Sequence, residues 1–255
     1  MNTSFDLMDK NKLIDQVGFR KYFTAKNWAE YNRKFFNGLA PKYDTLNQVL
    51  TFGLQDRYKT HAVRCSGIQN GDLVLDICTG TGDIAFLIAE IFPRSHVIGV
   101  DVAEKMLDIA QMRAKANSSI EFKISDAQAL KFEDKMFDAV FMSYGLRNLM
   151  DPVQGIKEMK RVVKPGGVIN IIDLGKPTGP VKTFLYRAYF ENVLPFLGKH
   201  IFHRGEFNSF QYLPESNKCF PPPEELKTIL ENCGLKNIEM FTYMSETVVH
   251  FRAYA

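Results

Sequence analysis

The run Leu73-Val74-Leu75-Asp76-Ile77 stops at Cys78-Thr79-Gly80-Thr81-Gly82-Asp83 and resumes as Ile84-Ala85-Phe86-Leu87-Ile88-Ala89. An apolar run that ends at two glycines one residue apart and then restarts reads as a buried strand, a tight turn and a helix. Such a turn suits a ligand. Glycine lets the backbone come close to it, and the first helical turn presents N–H groups that have no partner within the helix.

The spacing Gly80-x-Gly82-x-x-Ala85 also fits the fingerprint of a dinucleotide fold, in which those N–H groups meet a pyrophosphate. Charge argues against an anion here. Asp76 at the end of the strand and Asp83 at the head of the helix place two carboxylates beside the site. A cation suits that geometry better, and S-adenosylmethionine brings both an ammonium and a sulfonium. The next apolar run, His96-Val97-Ile98-Gly99-Val100-Asp101, ends in an acid 19 residues after Gly82, where a carboxylate accepts from ribose hydroxyls. Either cofactor would use Asp101.

The chain goes on alternating strand and helix. Val102 to Leu107 leads into an amphipathic helix whose Met106 and Leu107 face either the adenine or the core. Ile120 to Ser125 alternates as a third strand and delivers Asp126-Ala127-Gln128 at its carboxyl end. Phe137 to Ser143 is predicted as the fourth strand, followed by Tyr144-Gly145-Leu146-Arg147-Asn148. After a helix over Pro152 to Val163 and the turn Lys164-Pro165-Gly166-Gly167, Val168 to Asp173 is the fifth strand. Ligands of open α/β sheets sit beyond the carboxyl ends of the strands, so Asp126 is placed to accept from an adenine amino group, and Arg147 and Asn148 are expected over the methyl donor.

Upstream, Tyr31, Phe35, Phe36 and Leu39 recur at helical spacing, and Gln55 to Ser66 should form another helix. Between Val181 and Leu213, nine of 33 residues are Phe or Tyr, about twice the 13% of the whole chain. This segment interrupts the α/β alternation and is expected to be a helical lid, over about 180–215, whose aromatics face an apolar substrate. A helix from Glu224 to Asn232 and an antiparallel pair, Lys236 to Met244 with Thr247 to Tyr254, close the pattern. The predicted class is therefore α/β: a Rossmann-like, seven-stranded, mostly parallel sheet with an antiparallel edge strand, N-terminal helices and a helical lid insertion. With 255 residues and 45% hydrophobic composition one domain is expected, over 27–255, after a polar extension at 1–26.

Several classes are disfavoured. A net charge of +3 with no basic stripe gives no footprint for nucleic acid. Cys65, Cys78, Cys219 and Cys233 are scattered, with no C-x-x-C and no histidine spacing suited to a metal, and read as reduced thiols of a cytoplasmic protein. The N-terminus lacks the apolar core of a signal peptide, and no stretch reaches the roughly 18 apolar residues of a membrane span.

Leu75-Asp76-x-x-x-Gly80-x-Gly82-Asp83 with Gly99-Val100-Asp101-Val102 resembles the first two motifs of class I S-adenosylmethionine-dependent methyltransferases. Three further stretches are similar to the quinone-biosynthesis C-methyltransferases that act on demethylmenaquinone and on the ubiquinone precursor: Tyr43-Asp44-x-Leu46-Asn47 with Gly53, Tyr144-Gly145-Leu146-Arg147-Asn148, and Arg161-Val162-Val163-Lys164-Pro165-Gly166-Gly167. The likeness runs from about Phe35 to the C-terminus. It implies Asp76, Gly80, Thr81, Gly82, Asp101, Val102, Asp126, Ala127 and Ser143 as cofactor contacts and Tyr43, Tyr144 and Tyr212 as contacts to the acceptor. The acceptor it implies is a small lipophilic quinol, methylated on a ring carbon as demethylmenaquinol is converted to menaquinol. An aromatic carbon is a weak nucleophile until an adjacent hydroxyl ionises. On this reading Arg147 stabilises the oxyanion, Asn148 orients it or a water, and Asp44 or another nearby acid completes the proton path.

The chain also departs from that family. Gln55 and Asp56 stand where the family usually has His-Arg, reversing local charge, and Asp173 stands where it has Glu. Two other classes stay open: a methyltransferase of another small acceptor, and a non-catalytic S-adenosylmethionine-binding protein. Peripheral contact with a membrane and assembly as a homodimer also stay open.

Overall fold

A computed structural model describes residues 25–115, 118–189, 193, 217 and 220–255. The extension expected at 1–26 lies almost entirely outside them, as does most of the aromatic segment, including Tyr212.

Seven strands form one sheet: β1 Leu73–Ile77, β2 His96–Asp101, β3 Ile120–Ile124, β4 Phe137–Ser143, β5 Val163–Leu174, β6 Lys236–Tyr243 and β7 Val248–Tyr254. Their order is β3-β2-β1-β4-β5-β7-β6. The first five pair in parallel, and β7 runs antiparallel between β5 and β6. The order reverses between β1 and β4, so the crevice beyond the carboxyl ends of these two strands is where such a sheet holds a ligand.

Among the described residues eight longer helices accompany the sheet: α1 Ala25–Leu39, α2 Tyr43–Leu50, α3 Gln55–Arg64, α4 Asp83–Ile91, α5 Glu104–Ala114, α6 Pro152–Val162, α7 Pro180–Ala188 and α8 Pro223–Asn232. Successive strand residues point to opposite faces and divide the core in two. Leu75, Ile77, Val140 and Met142 meet Ile156 and Met159 of α6 and Leu226 and Leu230 of α8. Val74, Ala139 and Phe141 meet Ala62 and Val63 of α3 and Ile84 and Ile88 of α4 on the other face. Covering both faces explains why β1 and β4 read as almost unbroken apolar runs.

One boundary differs from the sequence pattern, and one open position is decided. β5 starts at Val163, because Val163 pairs with Phe137 ahead of a register shift, so Lys164 to Gly167 lie within the strand rather than in a separate turn. Met106 is core: it packs with Ala40 and Ala103 where α5 meets the N-terminal helices, with Phe36 and Tyr43 beside it.

Candidate active site

The residues that follow β1 and β4 are both held in the left-handed backbone region, Cys78 at φ 56 and Tyr144 at φ 57. Side chains rarely adopt it, and residues that do cluster at functional sites. The two turns pack on one another: a Cβ on Gly145 would lie 2.8 Å from the Cys78 Cβ, so only glycine admits this approach.

One side of the junction is acidic. Asp76 is 1% exposed. Its Oδ2 accepts from the Thr79 hydroxyl at 2.5 Å, while its buried Oδ1 has no partner. Burial pushes this carboxyl up to about 7, against the opposing hydrogen bonds from Thr79 and the Ala85 backbone. The buried Ser143 Oγ also has no partner. Asp101 accepts from the Gly80 and Ala103 N–H groups, each at 2.9 Å, and burial raises its carboxyl despite them. Val102 lies half-buried in that turn. Beyond β3, the Ser125 N–H donates to the Asp101 carbonyl, the Asp126 carboxylate accepts from the Gln128 N–H, and Ala127 is buried. Asp76, Thr81 and Ser143 share the wall of a small cavity with Tyr43 and Tyr144, and the Gly80 turn closes it beneath Tyr43.

Two cations that the sequence reading missed stand here. Lys59 Nζ is 3.0 Å from Asp83 Oδ2 and lines the small cavity; Arg113 Nη1 is 2.8 Å from Asp83 Oδ1 and also donates to the Thr81 carbonyl. Burial works to raise the Asp83 carboxyl, but Lys59 and Arg113 outweigh it and hold it below its usual value. The cleft is thus not simply anionic, as the two acids alone suggested. Its groups fit S-adenosylmethionine: an ammonium would supply the donors that Asp76 Oδ1 and Ser143 Oγ lack, and Lys59 could face a carboxylate. Lys59 had a signal in the sequence. Gln55, Tyr58, Lys59, Ala62 and Val63 form the buried stripe of α3, so two polar residues share its apolar face.

Across the junction is a mostly apolar cavity of about 310 Å³. It is bounded by α1 and α2, by the turn between β6 and β7, and by Leu185 and Tyr186 of α7, the part of the expected lid that the structure describes. Arg147 reaches its wall from a short 3-10 turn, Leu146–Asn148, and is only 6% exposed. Its Nη1 donates to Asp173 Oδ1 at 2.6 Å and to the Tyr144 carbonyl at 3.1 Å, and its backbone N–H donates to Asp173 Oδ2. Asp173, at the end of β5, is 2% exposed. Tyr43 and Tyr144 line both cavities and form the partition between them.

Two of the residues expected in the chemistry sit elsewhere. Asn148 turns its amide back onto the Tyr144 carbonyl at 2.8 Å, and its own carbonyl accepts from Asn32 of α1. It lines neither cavity and braces the loop that carries Arg147. Asp44 does not line the acceptor cavity: its Oδ1 accepts from the Thr81 hydroxyl at 2.7 Å and its Oδ2 lies 3.5 Å from Arg113. One helical residue along from Tyr43, its side chain leaves α2 toward the glycine turn rather than the acceptor cavity, clasping the helix to that turn.

The model of the ubiE/COQ5 methyltransferase family matches residues 25–254. The demethylmenaquinone methyltransferase of Thermus thermophilus is 39% identical over 210 residues, 82% of this chain and 94% of that protein. The ubiquinone/menaquinone biosynthesis C-methyltransferase UbiE of Enterobacter sp. is 31% identical over 252 residues, 97% of this chain and 99% of its own length. Among solved structures, a SAM-dependent methyltransferase from Thermotoga maritima superposes with a TM-score of 0.61 at 20% identity, covering 87% of this chain and 98% of that one, a likeness of fold. By these matches the chain belongs to the ubiE/COQ5 methyltransferase family.

Proposed function

We propose that this protein transfers a methyl group from S-adenosylmethionine to a ring carbon of a prenylated hydroquinone, converting a demethylmenaquinol to a menaquinol. The observation that carries this reading is the partition itself: a largely apolar cavity with a buried guanidinium in its wall, separated from the acidic cofactor cleft by Tyr43 and Tyr144. When bound, the donor supplies an electrophilic methyl on a positive sulfur. The protein's work is alignment, and well-oriented neighbours can supply roughly 7–11 kcal/mol of a barrier. Tyr43 and Tyr144 exclude water from the crossing point, and Arg147 faces the quinol oxygen and favours its ionised form. Asp173 fixes the plane of that guanidinium. The proton lost from the ring carbon after transfer leaves to solvent or to the oxygen that ionised.

The protein works in the cytoplasm against a membrane surface in this proposal. Support comes from the cavity's lining, where Phe52 is 71% and Leu185 61% exposed. Among the described residues no helix is long and apolar enough to cross a membrane.

The test is product analysis with methyl-labelled S-adenosylmethionine and short-chain demethylmenaquinol, with Arg147→Lys alongside. Label on a ring carbon is expected. Arg147→Lys keeps the charge but loses the planar fork, and should lower turnover at unchanged cofactor affinity. Label on oxygen, or on no quinol, sinks the proposal; normal turnover of the variant removes Arg147 from the chemistry.

A further inference from the structure

The stripe of α3 that carries Lys59 also carries Tyr58, which the roles above leave unused. Tyr58 is 4% exposed, lines the acceptor cavity and stacks on Tyr243 at 5.8 Å between ring centroids. Its hydroxyl oxygen lies 2.5 Å from that of Tyr144. Tyr144 is the residue forced into left-handed backbone at the end of β4, and it belongs to both cavity walls. The contact therefore sits on the partition through which a methyl has to pass.

We infer that the hydroxyls of Tyr58 and Tyr144 act as one hydrogen-bonded unit that receives the ionised oxygen of the acceptor, a phenolate, at the junction of the two cavities. This deepens the proposed function and rests on it for the identity of the acceptor. Two hydroxyls bring two hydrogens, their mutual bond uses one, and the other is left for an oxygen in the cavity. The tyrosine that gives it is itself hydrogen-bonded by the other, and such chains polarise and strengthen one another in a low dielectric. Burial pushes both hydroxyls well above the usual tyrosine value, so each remains a donor and neither serves as base. The guanidinium of Arg147 lies 5.3 Å from the Tyr144 ring centre, but Asp173 at 2.6 Å offsets its charge. A phenolate beside that paired charge thus gains from directed neutral donors as well. An oxygen held there sets the neighbouring ring carbon against the partition.

The test uses 1-naphthol as a phenol whose ionisation is read by absorbance, titrated with the full chain saturated with S-adenosylhomocysteine. Binding to the wild type is expected to lower its ionisation midpoint by at least one pH unit. Tyr58→Phe and Tyr144→Phe should each diminish the shift, and the double variant abolish it, while keeping adenosylhomocysteine affinity. With a quinol, each should lower kcat by about 10²–10³-fold, as removal of an oxyanion donor does, and the double variant should lose little more than either single one. A role confined to packing changes the melting temperature and leaves the naphthol spectrum alone. An unshifted midpoint in the wild type, or an undiminished shift in the variants, overturns the inference. Should Tyr144→Phe not fold, Tyr58→Phe decides alone, since it keeps the ring stacked on Tyr243. A wild type that shifts naphthol but methylates no quinol overturns the acceptor assignment and leaves the hydroxyl pair standing.

Discussion

Asp76 is expected to tie cofactor binding to pH. Its carboxyl rises from 3.8 to about 7 because burial outweighs the hydrogen bonds it accepts. At 1.36 kcal/mol per pH unit, that is about 4 kcal/mol against ionisation. A bound ammonium favours the ionised form, so binding has to expel the proton wherever the free protein holds it. With a midpoint near 7, about 3% of the free protein has Asp76 ionised at pH 5.5 and about three quarters at pH 7.5. Affinity for S-adenosylmethionine should therefore strengthen about 25-fold over that interval, measured by calorimetry at constant ionic strength. Asp76→Asn should bind more weakly at pH 7.5 and show little slope, which separates this carboxyl from titration of the ligand. The stability of the ligand-free protein runs the other way. The folded state holds the proton more tightly than the unfolded chain, so Asp76 contributes fully below about pH 4, and that contribution is lost as pH rises through 7. A flat affinity profile in the wild type, or an equal slope in Asp76→Asn, refutes the reasoning.

Two further outcomes are expected. Asp173→Asn removes the carboxylate paired with the buried Arg147 guanidinium, which should cost about 3–5 kcal/mol and lower the calorimetric melting temperature by roughly 6–20 °C; a fall under about 2 °C would mean that the pair does not hold the site. Gly82→Ala puts a Cβ at φ 90, 2.7 Å from the Phe86 ring and 2.9 Å from that of Phe122. Destabilisation of about 1–3 kcal/mol and at least a tenfold loss of adenosylhomocysteine affinity should follow, and wild-type affinity would show that the turn does not shape the cofactor cleft.

The frame of the protein was legible in its sequence because that frame is local. The apolar run at Leu73, the glycine pair and the apolar restart at Ile84 specify strand, turn and helix through neighbours a few residues apart. The acids that close successive strands, Asp101 and Asp126, inherit their positions from the sheet. The position of Arg147 was legible for the same reason, since whatever follows β4 emerges over the crevice. The directions of the Asp44 and Asn148 side chains were not, because a side chain's direction from a helix or a short turn depends on what packs against it. Asp44 meets Thr81 and Asn148 meets Asn32 only once the N-terminal helices lie across the ends of the strands. Lys59 and Tyr58 were hidden in another way. On paper they are two polar residues in an ordinary amphipathic helix, and only the packing of α3 against the sheet sets Lys59 beside Asp83 and Tyr58 against Tyr144, 24 and 86 residues away. Period and turn chemistry determine where strands end, whereas the charge balance and hydrogen bonding beyond those ends arise from long-range contacts that no local pattern encodes.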